Sequence, residues 1–253
     1  MGAQAVCNAV KTLHEHSLPE SLAQTESELE RLAQAAAEVV DCIRVLEKSG
    51  SNLVTEVLGE REFVEFEHYP ENDVYDPETH AQYYFHAHPQ RRGEWNDYGH
   101  FHTFLRPKGS FREIRLAAPG TEPTTEVNDP VCHLIAISMN PHGRPVRLFT
   151  TNRWVTGETG CAAPELIGML DRFVVDLAKP SWPLNRWISA MIRLYREEIV
   201  KLIHERDASI AEWQITHPER DVFEDRALEV TSAMTIDLDA RLALIRSRLG
   251  LTD

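Results

Sequence analysis

The sequence has few cysteines for its length, and they show no pairing motif. Cys7, Cys42, Cys132 and Cys161 are the four cysteines among 253 residues, and none of them forms a C-x-x-C pair. This scatter argues against a zinc ribbon and against a small disulfide scaffold. It predicts a cytoplasmic protein with free thiols.

Long apolar runs and an excess of positive charge are also lacking. No run approaches the roughly 20 apolar residues of a membrane span, and the first twenty residues lack the basic and apolar regions of a secretory signal. The formal net charge is −14. Phosphate backbones and anionic membrane surfaces attract basic proteins, so we expect neither nucleic acid nor a membrane as a partner.

Several catalytic motifs are missing as well. The sequence contains no Walker loop, no G-x-G-x-x-G and no G-x-S-x-G. These absences argue against a P-loop NTPase, a Rossmann dehydrogenase and a covalent serine hydrolase.

The spacing of apolar residues divides the chain into three blocks. Apolar residues recur at three- and four-residue steps in residues 19–48, which predicts an N-terminal helix. Alternation with period two in residues 55–158 predicts a β-rich core, and residues 164–250 return to helical spacing. The sequence predicts an α+β fold with a central antiparallel sheet of about six strands, flanked by the N-terminal helix and three C-terminal helices. Residues 1–253 are expected to form a single domain.

Individual elements can be placed within these blocks. Strands are predicted at residues 61–69, 82–88, 98–105, 110–117, 132–139 and 146–155, with a turn at residues 140–145 that joins the last two into a hairpin. Helices are predicted at residues 164–178, 184–213 and 222–249. The broad apolar stripe of the second of these helices suits either packing within the chain or a homodimer.

Two His-x-His pairs stand among aromatic residues in the β-rich block: His86 with His88, and His100 with His102. Side chains alternate between faces along a strand, so each pair lies on one face, opposite mainly apolar neighbours. Antiparallel pairing with His88 opposite His100 and His86 opposite His102 brings the four imidazoles together. Their nitrogens can then converge on one metal ion at about 2.0–2.1 Å. The pattern predicts a mononuclear metal site with these four histidines as ligands.

All-imidazole ligation restricts the choice of metal. It suits iron, copper or zinc better than magnesium or calcium. Structural zinc usually recruits thiolates, so a catalytic site is the better interpretation. Iron or copper in oxidative chemistry is favoured, zinc is possible, and a small molecule is the expected substrate. Haem with one histidine as axial ligand, walled by the aromatic residues, is the alternative cofactor.

Other polar residues near the histidines are candidates for supporting roles. Tyr84 and Glu94 are predicted to assist proton transfer. Asp76 or Glu78 can orient a ligand imidazole, since ligating histidines usually donate their second N–H to a carboxylate or carbonyl. Five more residues are assigned to the surroundings of the metal or to substrate contact: His80, Trp95, Tyr98, Asn152 and Arg153.

The same residues also have interpretations that involve neither a metal nor a substrate. Two His-x-His pairs also suit a polar sheet face whose imidazoles bond to carboxylates or water. Arg153 can hold an anionic group through its fork of donors, but a surface arginine explains it too. His133 reads as a buried core histidine rather than a ligand. The protein as a whole can be a non-enzymatic interaction protein that dimerises through its C-terminal helices.

Two family resemblances rest on this region. The segment "HAHPQRRGE" resembles the first cupin motif, in which His-x-His is followed by glutamate, but five residues intervene where four at most are expected. The second cupin motif places a histidine after P-x-G, and here Pro141-His142-Gly143 is followed by no histidine until His204. The chain is also similar to an uncharacterised bacterial family through "YDPETHAQYYFHAH" and "GHFHTFLRP". That resemblance implies no known activity.

Overall fold

A six-stranded antiparallel sheet forms the centre of the molecule. The computed structural model describes residues 25–61, 63–87, 97–106 and 130–251. The strands lie side by side in chain order. They are β1 (Tyr69–Tyr75), β2 (Ala81–His86), β3 (Gly99–Leu105), β4 (Cys132–Met139), β5 (Pro145–Thr151) and β6 (Val230–Thr235). The predicted α+β class is confirmed.

Helices precede the sheet, fill the long connection between β5 and β6, and follow β6 at the end of the chain. They are α1 (Glu26–Lys48), α2 (Leu53–Leu58), α3 (Arg153–Thr156), α4 (Ala163–Met169) with the 3₁₀ turn Leu170–Arg172, α5 (Trp182–Leu194), α6 (Arg196–Thr216) and α7 (Leu238–Arg248). Within the described ranges, no helix has both the length and the apolar character needed to cross a membrane.

The N-terminal helix α1 begins at a capping box. The Thr25 hydroxyl accepts the Glu28 N–H at 3.2 Å, and the Glu28 carboxylate accepts the Thr25 N–H at 3.0 Å. Two of the N–H groups that a helix start leaves without helical partners are satisfied in this way. The helix ends at Lys48, as the sequence predicts.

One face of the sheet, here called the helix face, packs against the helices. The Phe101 ring lies 6.0 Å from that of Trp187 in α5, and the Tyr83 hydroxyl donates to Asn185 Oδ1 at 2.6 Å. The apolar stripe is buried in the same core from α5 to Ile203 of α6, whereas Ile210 belongs to a separate small cluster with Val222 and Leu228. The side chains on the helix face of the central strands include Tyr83, Phe85, Phe101, Ile135 and Ile137. The opposite face carries the histidines and is called the histidine face.

Two of the predicted strands, at residues 61–69 and 146–155, have different bounds in the structure, and the second ends at Thr151 because residues 153–156 form α3. Residues 63–68 are irregular apart from a turn at residues 65–66, and β1 starts at Tyr69, where the prediction ended its first strand. The predicted strand at residues 110–117 lies outside the described residues. The hairpin of β4 and β5 around residues 140–144 is confirmed, and its turn is closed by the Asn140 N–H donating to the Arg144 carbonyl.

The predicted C-terminal helices are interrupted. The helix at residues 164–178 stops early, because the Val175 and Asp176 N–H groups donate to the Ser189 hydroxyl and the Asp76 carboxylate instead of helical carbonyls. The helix at residues 184–213 is divided at Tyr195, whose backbone leaves the helical region with φ −111° and ψ 25°.

The last predicted helix, at residues 222–249, is wrong over much of its length. It contains strand β6, and only α7 near its end is helical. Pairing with β5 fixes residues 230–235 as a strand, so tertiary contacts override the local apolar spacing. The C-terminal block is therefore not purely helical.

The expectation of free thiols is corrected for two cysteines. Cys132 at the start of β4 and Cys161 before α4 form a disulfide, with Cα atoms 5.9 Å apart. They are 29 residues apart in the chain, and this spacing carries no sequence signature. Cys42 is the free cysteine within the described residues, and it is buried in the core.

Candidate metal centre

Three histidines of β2 and β3 converge on the histidine face. The ring centroids are 4.6 Å apart for His86 and His100, 5.0 Å for His86 and His102, and 4.9 Å for His100 and His102. All three side chains are buried. One nitrogen from each ring lies within 4.8 Å of the other two. This group could hold a metal ion.

The spacing of two of these nitrogens is close to that of metal ligands. His86 Nε2 lies 2.8 Å from His100 Nε2, and the two rings share a hydrogen bond whose donor depends on the tautomer. Two nitrogens bound tetrahedrally at 2.0–2.1 Å are about 3.3 Å apart. An ion would therefore need these two rings to separate by only about half an ångström.

The pairing of β2 with β3 is shifted by two residues from the predicted register. His86 lies opposite His100, and Tyr84 lies opposite His102. Side chains alternate with period two, so a shift of two leaves every side chain on its face and keeps the histidines together. His88, the fourth predicted ligand, lies outside the described residues.

An aspartate lies beside the far nitrogen of His100. Asp97 Oδ2 is 3.7 Å from His100 Nδ1 and accepts a hydrogen bond from the Ser138 hydroxyl at 2.8 Å. Burial alone would raise the pKa of Asp97, but the contacts with His100 and Ser138 outweigh it and lower the pKa. At 3.7 Å this contact is longer than a hydrogen bond, and a small closing movement would let the carboxylate orient the imidazole.

A fourth buried histidine joins the group through His102. His133 Nε2 lies 3.0 Å from His102 Nδ1, and the His133 backbone N–H donates to Glu158 Oε2 at 2.7 Å. Burial, together with the charge of Arg206 and the proximity of His100, lowers the pKa of His133 to about 3, so this ring is neutral. The sequence predicts a buried histidine here but gives no sign of its contact with His102.

Tyr84, which the sequence predicts to assist proton transfer, lies on the histidine face opposite His102. Its ring centroid is 5.2 Å from that of His102 and 5.4 Å from that of His86. Burial raises the pKa of Tyr84 well above its usual value, with Asp73 and Glu158 adding to the effect. The hydroxyl therefore stays protonated and is a hydrogen-bond donor.

Tyr84 has a neighbour, His68, that the sequence pattern does not predict. The His68 ring stacks on Tyr84 with centroids 3.6 Å apart, and its Nδ1 lies 3.1 Å from Asp73 Oδ1. Asp73 adopts a positive φ of 54° at an irregularity in the pairing of β1. His68 sits in a segment predicted as strand, where its position over Tyr84 could not be foreseen.

Aromatic rings line the rest of the site. Phe149 of β5 lies 5.1 Å from the His100 ring, and Phe104 of β3 lies 6.3 Å from the His102 ring. Both phenylalanines are buried. The nitrogens of the group are therefore flanked by apolar walls.

Other predicted site residues have structural contacts. His80 Nδ1 lies 2.7 Å from the Tyr75 hydroxyl in the turn between β1 and β2. The Tyr98 ring packs against Phe63 at 5.5 Å and against the main core. Asp76 accepts N–H groups of its own turn, including that of Glu78 at 2.9 Å. Glu94 and Trp95 lie outside the described residues.

Asn152 and Arg153 hold the start of α3. Asn152 Oδ1 accepts the Arg153 N–H at 2.8 Å, and Asn152 Nδ2 donates to the Val222 carbonyl at 2.7 Å. Arg153 forms an ion pair with Glu224 and lies 5.7 Å over the Phe223 ring. Both side chains therefore have partners within the chain.

The comparisons with known proteins agree with the resemblance seen in the sequence. A family model described as "Domain of unknown function (DUF6969)" matches residues 33–236. The chain belongs to this family. The matched range contains the three converging histidines, His133 and Glu158, whereas α7 follows it. No curated protein and no solved structure matches the chain.

Proposed function

We propose that the chain is a mononuclear metalloenzyme that holds a transition-metal ion through His86, His100 and His102. The observation that carries this proposal is the convergence of three buried imidazoles, each offering a nitrogen within 4.8 Å of the others. Neutral nitrogen ligands suit iron, copper or zinc. A buried group of this kind, on adjacent strands of a rigid sheet, is well preorganised for an ion.

A catalytic role is favoured over a structural one. Structural zinc sites usually have four protein ligands and often use thiolates, whereas three imidazoles leave a coordination position for water or substrate. A bound iron or copper ion would supply oxidative chemistry, and a zinc ion would supply an activated water. The apolar walls formed by Phe104, Phe149 and Tyr84 favour oxidative chemistry and a small apolar substrate.

Two residues of the chain are assigned to support this site. Tyr84 keeps its proton, and its hydroxyl can donate a hydrogen bond to a substrate group held against the histidines. Asp97 orients His100 through its Nδ1, which directs the opposite nitrogen of the ring toward His86.

Haem is the weaker candidate cofactor. An axial histidine needs a flat open space in front of its nitrogen for the macrocycle. Here the three rings stand within 5.0 Å of one another and nearly perpendicular. This convergence favours a single ion over a macrocycle.

Metal content tests the proposal. The purified protein, and the same protein after reconstitution with Fe(II), Cu(II) or Zn(II), is expected to hold one ion per chain by elemental analysis. His86→Ala and His102→Ala should each lose it, whereas His80→Ala, which removes a histidine bound to Tyr75 instead, should retain it. Failure of reconstituted protein to hold any of these ions would contradict the proposal. A Soret band would select haem.

A further inference from the structure

We infer that His133 is a positioning residue that determines which nitrogen of His102 faces the metal. This inference rests on the proposed function. His133 is not placed among the ligands, because His86, His100 and His102 form the converging group without it. It acts instead through its contact with His102.

The hydrogen bond between the His102 and His133 rings determines which His102 nitrogen is free to bind a metal. His102 Nδ1 lies 3.0 Å from His133 Nε2. A neutral imidazole carries one proton, and it binds a metal through the other nitrogen. When His102 donates its Nδ1 proton to His133 Nε2, its Nε2 is the atom that binds the ion. His133 must then carry its own proton on Nδ1.

A β-bulge brings His133 to this position. Thr103 pairs with Ile135, but Phe104 pairs with His133, so Leu134 is an extra residue in β4. Regular pairing would place Leu134 opposite Phe104 and turn His133 toward the helix face. Because of the extra residue, the His133 side chain lies instead on the histidine face, with those of His102 and Phe104. Bulges of this kind re-aim a side chain and are common beside active sites.

The backbone on the bulge is also anchored. The His133 N–H donates to Glu158 Oε2 at 2.7 Å, and the neighbouring Val131 N–H donates to the Thr159 hydroxyl at 3.1 Å. The disulfide of Cys132 ties the same stretch to Cys161. The Thr159 N–H also donates to the Val131 carbonyl at 2.9 Å. Together these contacts hold residues 131–133 against residues 158–161, and the His133 ring is kept against His102.

Metal affinity in two variants of His133 tests the inference. His133→Phe keeps a ring but cannot accept the His102 proton, so affinity for Zn(II) or Co(II), measured by competition with a chelator, should fall about 10- to 100-fold. His133→Gln places an amide oxygen near the position of Nε2 and should restore most of that loss. His217→Phe makes the same substitution at a histidine that stacks on Trp213 instead; it is the matched control and should keep near wild-type affinity.

A second measurement reads the tautomer directly. In zinc-loaded protein with ¹⁵N-labelled histidine, the His102 signals should show a protonated Nδ1 and a metal-bound Nε2. In His133→Phe, the His102 Nδ1 proton should exchange faster with water. Denaturant unfolding of each variant without metal separates a change in affinity from a loss of folding.

Several results would overturn the inference. One is a His133→Phe variant that binds zinc as tightly as the wild type. Another is a His133→Gln variant no better than His133→Phe. A third is a metal bound through His133 itself, either as a fourth ligand or in a second ion per chain. If the wild type binds metal, these results leave the proposed function standing. If it binds none, both fall.

Discussion

Gly99 and Phe85 are in such close contact that position 99 has no room for a side chain. A Cβ atom there would lie 2.5 Å from Phe85 Cζ and 2.7 Å from the His86 carbonyl oxygen. Gly99 directly precedes His100, so this contact sets the approach of β3 to β2 where the histidines meet.

Replacing Gly99 should therefore damage both folding and the site. We expect Gly99→Ala to lower the free energy of unfolding by about 1–3 kcal/mol, because overpacking forces backbone shifts. The same shifts should weaken metal binding. Urea unfolding and chelator competition measure the two effects. Gly168→Ala in α4 is the control, since a Cβ there meets nothing within 4 Å. Equal behaviour of the two variants would contradict the explanation.

The stability of the protein should depend on pH through Glu158. Burial raises the pKa of Glu158 to about 7, against the opposing effects of Arg206 and of the His133 N–H. Its pKa in the unfolded chain is near 4.5, so the folded state takes up a proton between these values. The contribution of this group is fully present below about pH 4.5 and is lost as pH rises through about 7.

Glu158→Gln removes this dependence. The variant should be more stable than the wild type at pH 8, by an amount on the order of 3 kcal/mol, and close to it at pH 4.5. Urea unfolding at several pH values provides the comparison. A wild-type advantage at pH 8 would show that the carboxylate is stabilised by Arg206 more than it is destabilised by burial.

The disulfide should stabilise the fold by restricting the unfolded chain. Cys132 and Cys161 are separated by 29 positions, and closing a loop of this length contributes roughly 3–4 kcal/mol. The double variant Cys132→Ser with Cys161→Ser should lose about this much in denaturant unfolding. A reductant should destabilise the wild type and leave the double variant unchanged. Peptide mapping that finds both cysteines alkylated without reduction would contradict the pairing.

A buried ion pair joins α6 to α7. Arg241 Nη2 lies 2.5 Å from Glu198 Oε2, and both side chains are buried. Removing one partner leaves an uncompensated charge, so Arg241→Met should lower the free energy of unfolding by about 3–5 kcal/mol. Adding Glu198→Gln should recover part of it. The exposed pair of Arg44 and Asp41 offers the control, and Arg44→Met should cost less than about 1 kcal/mol.

Metal removal should lower the thermal stability. An ion that binds only the folded state adds about 2.7 kcal/mol at a free concentration of 100 times its dissociation constant. Addition of Zn(II) should therefore raise the melting temperature of the wild type, and a chelator should reverse the change. His102→Ala should show neither response. A response that persists in this variant would place the ion elsewhere.

The sequence predicts which face of the sheet the histidines occupy but not how the strands are offset. Period-two alternation is a local property, and it places His86, His100 and His102 on one face at any offset that is even. The actual offset depends on tertiary fit, including the tight contact of Gly99 with β2. The predicted register was therefore wrong while the predicted grouping of three of the four histidines is confirmed.

Contacts between distant parts of the chain could not be predicted from the sequence. The residues "CHLIAISM" alternate regularly, and nothing in them signals the bulge at Leu134 that turns His133 to the histidine face. The pairing of Cys132 with Cys161 follows from the same tertiary arrangement. Strand β6 lies in a segment with helical apolar spacing, and only its pairing with β5 makes it a strand.

The alternation of helix-face and histidine-face residues also limits how the gene can change. Along β2 and β3, residues that pack against the helices and residues of the metal centre follow one another singly, as with Phe85 and His86 or Phe101 and His102. Insertion or deletion of one codon inside either strand would exchange the two roles downstream, placing imidazoles in the apolar core and phenyl rings at the centre. Length changes within these strands are therefore tolerable only in multiples of two codons, because only these keep each side chain on its face.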